Sequence, residues 1–469
     1  MQFPISTLDS LKEHPDLHFI TDADRLNALC TDWRGHFHGK TSLAVEPKNV
    51  NGLQVLLAHC HQHGIPVVPQ GGNTGLCGGA TPDHSGSQLV ISLRRLRAIR
   101  DIDQLNASMT VEAGCTLEEI QNEAEKAGFL FPLSLAAQGT CQIGGNLATN
   151  AGGVHVVRYG MMRDLILGLE VVLPDGRLWS GLRKLKKDNT GYSLKHLFVG
   201  SEGTLGIITA ATLKMMPRWA DVLGVWISVD TLAEIDELLG LFRKAAGDRL
   251  CAFEVMSSES LQWVKTSHPD WVFPSPLKKW TAWIELAETA PHSSLLQWFE
   301  DHLELFANWA DSMQLMQTAR EHEQGWRWRE NIPTSEKSIV HAYNYDISVP
   351  ISQLTAWVNS MGALIHGHFP NVQTTCFGHW GDGNLHWGVY VPKETSPEYL
   401  NSIKEPLTTL IFDHVHAYQG SISAEHGLGQ LKVTTINHYQ DAVERDLMRQ
   451  IKKALDPANL MNPGKVVDM

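Results

Sequence analysis

The chain has 469 residues, 43% hydrophobic and 19% charged, enough apolar surface for two or three folded domains and too much for a disordered chain. Its 38 basic and 51 acidic residues leave a formal net charge of -13, which repels phosphate backbones and argues against nucleic acid as a partner. Seven cysteines, odd in number and without a CxxC pair, read as free thiols in a reducing compartment, and the expectation is cytoplasmic.

The opening MQFPISTLDSLKEHPDLHF lacks the long apolar run of a signal peptide. Residues 48–62 place Val50, Leu53, Leu56 and Leu57 at helical spacing, and 65–68 form a short apolar run that predicts a buried strand. Further strands are predicted at 89–93, 109–111 and 169–173, the last entering a Pro174-Asp175-Gly176 turn. A helix is predicted over Leu117–Lys126, capped by Thr116 with Glu118 and Glu119 in its first turn. Between Lys126 and Arg158 no charged residue occurs. The glycines and amides there rule out a membrane span and suit backbone wrapped around a ligand. Around 217–222 the glycine-dense texture gives way to longer helices and many tryptophans, which marks a domain boundary.

Three glycine segments carry the first chemical signal. Pro69-Gln70-Gly71-Gly72-Asn73-Thr74-Gly75-Leu76-Cys77-Gly78-Gly79 follows a predicted strand. Its glycines permit close backbone approach, so its amides suit an anion nest. Alone it equally fits a mobile loop, and no GxGxxG fingerprint accompanies it. The stretch from Gly139 to Gly153 and the segment Gly200-Ser201-Glu202-Gly203-Thr204-Leu205-Gly206 repeat the character. Together they fit an extended dinucleotide whose pyrophosphate is held by amides rather than lysines.

A second signal lies downstream. Gly378-His379-Trp380-Gly381-Asp382-Gly383-Asn384-Leu385-His386 brackets a turn with two imidazoles, and Ser423-Ala424-Glu425-His426-Gly427 adds a carboxylate and a third imidazole. Two His and one Glu are a catalytic zinc set, with Mn²⁺ or Fe²⁺ equally compatible by ligand type. Among 23 histidines, surface and core roles are the competing reading, and Asp382 suits turn formation as well as ligand orientation.

The motifs PQGGNTGL, GGNLATNAGG, GSEGTLGIIT, GHWGDGNLH, SAEHGLG and DPANLMNPGK resemble, in order and spacing, the vanillyl-alcohol-oxidase or PCMH-type FAD-binding family. The branch is that of D-2-hydroxyglutarate and D-lactate dehydrogenases. The resemblance implies an α+β fold. A two-part PCMH-type FAD-binding domain of α/β subdomains would span 1–218. An α+β substrate or cap domain with an antiparallel sheet and the metal motif would span 219–424. A helical C-terminal segment, 425–469, would return to the FAD domain.

It further implies cofactor contacts from Pro69, Gly71, Gly72, Asn73, Thr74, Gly75 and Leu76. Others come from Pro132, Gly139, Thr140, Gly144, Gly145, Asn146, Thr149 and Asn150, and from Glu202, Gly203, Ile207 and Asn462. With no His in the first loop the FAD is expected to be non-covalent, although Cys77 is present. His379, His386 and Glu425 correspond to ligands of a divalent metal, zinc or alternatively Mn²⁺ or Fe²⁺, and His426 to the catalytic base. Arg329 matches the arginine that grips a substrate carboxylate, with pairing to Glu330 as the plain alternative; Asn344 and Tyr345 lie on the strand that lines the substrate pocket.

The implied reaction is oxidation of a small anionic D-2-hydroxy acid, of D-2-hydroxyglutarate or D-lactate type, by hydride transfer to flavin N5. An electron-transfer flavoprotein or a quinone is the expected acceptor, no integral membrane segment is expected, and a homodimer is the default assembly. Pro333 and Asn344 stand where Thr and Lys are expected. Loss of the lysine weakens preference for a diacid, and Trp326, Trp328, Trp380 and Trp387 suit either an apolar substrate side chain or the core. Alternatives are an oxidase passing electrons to oxygen and a dehydrogenase for a more apolar D-2-hydroxy acid.

Overall fold

The computed structural model describes residues 5–469; the first four positions of the expected 1–218 domain lie outside the described residues. The chain divides into two compact units. The first comprises the residues up to Gly153, Gly160–Arg218 and Glu425–Met469; the second comprises Val154–Tyr159 and Trp219–Ala424.

In the first unit, β1 (Leu17–Ile20), β2 (Ala44–Pro47), β3 (Val67–Gln70) and β4 (Leu89–Ser92) form a sheet in the order β1-β2-β4-β3. β4 pairs in parallel with both β2 and β3, while β1 pairs antiparallel to β2. A parallel step needs a crossover, and helix Val50–His63 supplies it between β2 and β3. The helix buries Leu53, Leu56, Leu57 and Cys60 and stops at Gly64, whose φ of 64° suits a residue without Cβ.

β5 (Ile99–Asp103), β6 (Ser108–Glu112), β8 (Ile166–Val172), β9 (Leu178–Gly181) and β10 (Ile207–Lys214) make a second, antiparallel sheet in the order β5-β6-β10-β8-β9. A short pair joins β7 (Phe129–Leu130) to β11 (Met216–Pro217). The predicted helix is present over Leu117–Lys126 with a full Thr116/Glu119 capping box.

A buried ion pair fixes the C-terminal segment within this unit. Lys452, in the last turn of the exposed helix Ala442–Leu455, donates to Asp456 Oδ2 (2.6 Å), Thr204 O (2.8 Å) and Met461 O (2.7 Å). Asp456 in turn accepts the amides of Leu460 and Met461. Every charge in the cluster is thus satisfied, the condition under which burying it is tolerable.

The second unit is built on β12 (Asp221–Val229), β13 (Leu250–Ser257), β14 (Trp280–Glu288), β15 (Met313–Met316), β16 (Val340–Ser348), β17 (Gln373–His379) and β18 (Asn384–Pro392). They form one antiparallel sheet in the order β15-β12-β14-β13-β17-β18-β16. Among the described residues no helix is long and apolar enough to cross a membrane, and all seven cysteines are buried and unbridged.

Candidate active site

The glycine segments of the first unit converge on one open cleft holding about 900 Å³ of empty space, its solvent mouth included. It is walled by the loop after β3, by residues 141–149, by the turn before β10 and by His426. No Lys or Arg lines it; Glu202 and His426 are its titratable acid and imidazole.

Three features of the cleft call for a ligand. The backbone N–H groups of Gly71 to Gly75 donate to no acceptor among the described residues, so a row of donors faces the opening. The buried Gln142 Oε1 and Asn146 Oδ1 have no hydrogen-bond partner, although buried polar atoms are nearly always paired. A Cβ at Gly75 or Gly145 would meet nothing within 4 Å, whereas one at Gly72 would lie 2.1 Å from Thr140 O.

Glu202 secures the third wall. Its carboxylate accepts the amides of Leu428 (2.8 Å) and Gly429 (2.9 Å), and its own carbonyl accepts Asn462 Nδ2 (2.7 Å). Burial pushes its carboxyl above the usual range, against the pull of those amides and of Lys432 and Lys465.

In the second unit the register sets the chemistry. Glu254 pairs with His379 across β13 and β17, His379 with Asn384, Phe377 with His386, His386 with Asp346, and Gly388 with Asn344. Cross-strand partners share a face and side chains alternate, so these residues all look out from one side of the sheet. The His379 and His386 rings stand 5.5 Å apart, with ligand nitrogens within 4.8 Å. Between them the chain reverses at Asp382-Gly383, where Asp382 Oδ1 accepts the Asn384 amide and Gly383 takes φ 93°; Asp382 is thereby seen to build the turn.

Glu254 links this pair to an arginine. Its Oε1 accepts His379 Nδ1 at 2.6 Å and its Oε2 accepts Arg329 Nε at 2.7 Å. A carboxylate only accepts, so Nδ1 carries the proton and His379 Nε2 holds the lone pair a cation needs. Burial alone would raise the Glu254 carboxyl, but His379 and Arg329 outweigh it and hold the group down at about 2. Arg329 comes from helix Ala319–Glu330 and lies over the Phe377 ring, 4.8 Å from its centroid. Its Nη1 and Nη2 donate no hydrogen bond among the described residues.

The family described as "FAD linked oxidases, C-terminal domain" matches residues 227–466, and an "FAD binding domain" matches residues 41–181. The chain belongs to the FAD-linked oxidase family. It is similar to a probable mitochondrial D-2-hydroxyglutarate dehydrogenase of Oryza sativa subsp. indica, 35% identical over 96% of this chain and 80% of that one. It is also similar to a D-2-hydroxyglutarate dehydrogenase of Xanthomonas citri pv. viticola, 34% identical over 97% and 95%. The fold resembles a p-cresol methylhydroxylase structure at TM-score 0.72 and 17% identity, over 95% of this chain and 93% of that one. This oxidase-family chain is an FAD-dependent dehydrogenase, with a PCMH-type fold. The open amides, the two orphaned oxygens and the empty space at Gly75 and Gly145 fit its FAD, with the amides in place of cations at the pyrophosphate.

Of the residues expected to touch the cofactor, Pro69, Gly71, Gly72, Asn73, Thr74, Gly75, Gly144, Gly145, Asn146, Thr149, Glu202, Gly203 and Ile207 wall the cleft. Leu76, Pro132, Gly139, Thr140, Asn150 and Asn462 do not. Thr140 instead backs Gly72 with its carbonyl, Asn150 Oδ1 accepts the Arg163 amide, and Asn462 Nδ2 ties Gly79 O to Glu202 O. Gly139 is exposed. Cys77 lines the cleft, and its Sγ is engaged with Gly427 O at 3.3 Å.

In the second unit the arginine is buried against Glu254 and not paired with Glu330. Tyr345 is a correction: it pairs with Trp387 on the opposite face, and its hydroxyl bonds Thr408 Oγ1 at 2.9 Å. Alternation along β16 turns it from the face that carries Asn344 and Asp346. Trp328, Trp380 and Trp387 are core residues, and Trp326 Nε1 donates to Glu285. Glu254 and Asp346 were not singled out by sequence. The available signal was a lone charge in an apolar strand, as in LCAFEVMS, since such a charge must be paired.

Proposed function

We propose that the protein oxidises a small D-2-hydroxy acid to the 2-oxo acid, using a divalent cation held by His379, His386 and Glu425. The observation that carries this reading is the Arg329–Glu254–His379 chain beside His386 on one sheet face. It pairs an anion clamp with imidazoles whose lone pairs suit a metal. Glu425 follows directly on Ala424, where the second unit ends, and supplies the carboxylate of a His₂Glu set. Zn²⁺ is the first choice, Mn²⁺ and Fe²⁺ the others compatible with these donors.

When bound, the cation supplies charge that acidifies a 2-hydroxyl, as zinc takes water from ~15.7 to ~7, and FAD supplies the two-electron acceptor. The chain does the rest. Arg329 offers Nη1 and Nη2 to the substrate carboxylate. His426, which lines the cleft, takes the hydroxyl proton on its ring nitrogen. Glu254 keeps His379 in the ligating tautomer. Within this class the preference is for a monoacid of D-lactate type over a diacid, because Asn344 carries no charge and its Nδ2 is engaged by Glu336 at 2.7 Å.

The acceptor expected for this reaction is an electron-transfer flavoprotein or a quinone, a homodimer is the default assembly, and the seven unbridged cysteines support a reducing, cytoplasmic setting. The test is anaerobic bleaching of the flavin absorbance by a panel of D- and L-2-hydroxy acids, then dye reduction with and without chelator. Bleaching by a D-acid, lost on chelation and restored by a divalent cation, is expected. Bleaching by no D-2-hydroxy acid sinks the substrate, and indifference to chelation sinks the metal.

A further inference from the structure

A second cavity in the first unit lies behind the loop that follows β3, sharing Gln70 to Asn73 with the main cleft. Its charge pattern is unlike that of the main cleft. Glu46, 1% exposed, is surrounded by three guanidinium groups: Arg95 Nε at 2.8 Å, Arg25 Nη2 at 3.2 Å and Arg94 Nε at 3.8 Å. Arg25 and Arg94 line the cavity and are about half exposed. Arg94 donates no hydrogen bond among the described residues, so its whole fork is available. Asp32 also lines the cavity, its carboxylate taken up by the amides of Arg34 and Phe37; three guanidinium groups against two carboxylates still leave a local positive charge in a chain of net charge -13, and an anion is what relieves it.

A second observation points the same way. Gln70, 1% exposed, spends its Nε2 on Leu29 O and Ala80 O, and its Oε1 has no partner. Gln70 lies on the wall shared by the two cavities, and its orphaned acceptor asks for a hydroxyl or amino donor. Trp33, 68% exposed, offers an indole face on the same wall, the platform on which a flat heterocycle stacks.

We propose that this cavity binds a nucleoside phosphate, with phosphate on Arg94 and Arg25, the base against Trp33 and a donor group on Gln70 Oε1. The site adjoins the FAD cleft along residues 70–73 and does not depend on the identity of the substrate. The probe is ADP, titrated calorimetrically into the FAD-loaded protein, with inorganic phosphate and adenosine as separate arms. Saturable binding of one ADP per chain is expected, tighter than either fragment, with the flavin spectrum retained. Arg94→Ala weakens it about tenfold, the loss of a charged hydrogen bond; Trp33→Ala weakens ADP but not phosphate. Arg94 and Trp33 are exposed, so both variants fold. The proposal is overturned by no binding to the FAD-loaded protein, by ADP displacing FAD, by adenosine matching ADP, or by an unchanged Arg94→Ala titration.

Discussion

Glu254→Gln is the sharpest probe of the second unit. The substitution keeps the shape of a fully buried group and removes the charge between His379 Nδ1 and Arg329 Nε. A carboxamide can accept from one of these donors only, and its NH₂ then faces the other. Breaking a buried pair this way costs about 3–5 kcal/mol, because the arginine charge is left uncompensated. For a unit of about 200 residues each kcal/mol moves Tm by about 2–4 °C, so a fall of about 6–12 °C is expected at the low end of that cost. Metal affinity and kcat/KM should each drop about 10- to 100-fold, the usual effect of removing a carboxylate behind a ligating histidine.

The pH dependence has a definite sign. The Glu254 carboxyl is depressed to about 2, so its contribution is present above the ordinary range near 4.5 and lost as pH falls toward 2. The variant should lose that part of the acid limb. Differential scanning calorimetry, metal analysis and dye-reduction kinetics read the three effects. A variant melting within a degree of wild type with unchanged metal affinity would refute the coupling.

Other expectations follow from single observations. Gly145→Ala adds a methyl into open space, so the apoprotein should melt normally while FAD retention falls; Gly72→Ala drives a Cβ against Thr140 O and should instead lower Tm with or without FAD. His386→Ala should abolish metal-dependent turnover while leaving the flavin spectrum intact, read by metal content after dialysis. Burial lowers Lys465 to about 8, with Asp83 and Glu202 pulling it back up. The unfolded chain therefore binds more protons between about 8 and 10.5, so stability should rise with pH across that window, and Lys465→Met should flatten the rise in urea-melt midpoints.

Local signals were legible in the sequence and long-range ones were not. Thr116 and Glu119 announce their helix because a capping box is complete within four residues. Val50 to Leu57 announce theirs by spacing. The seven-stranded sheet gave no such alternation: β13 and β14 are buried along their whole length, so apolar residues run on without a period, and the antiparallel sheet was expected from the family resemblance alone. The glycine loops were visible as composition, but which of their residues wall the cleft depends on contacts between segments. Tyr345 shows the cost of reading a strand without its register, since one position decides the face.

The bond from Asn462 Nδ2 to Gly79 O spans 383 positions, and Lys452 reaches back to Thr204 across 248. The walls of the nucleotide cleft therefore cannot be locked together until residue 462 has left the ribosome. During synthesis the first loop must wait for the 383 positions that separate it from Asn462 before that lock can form.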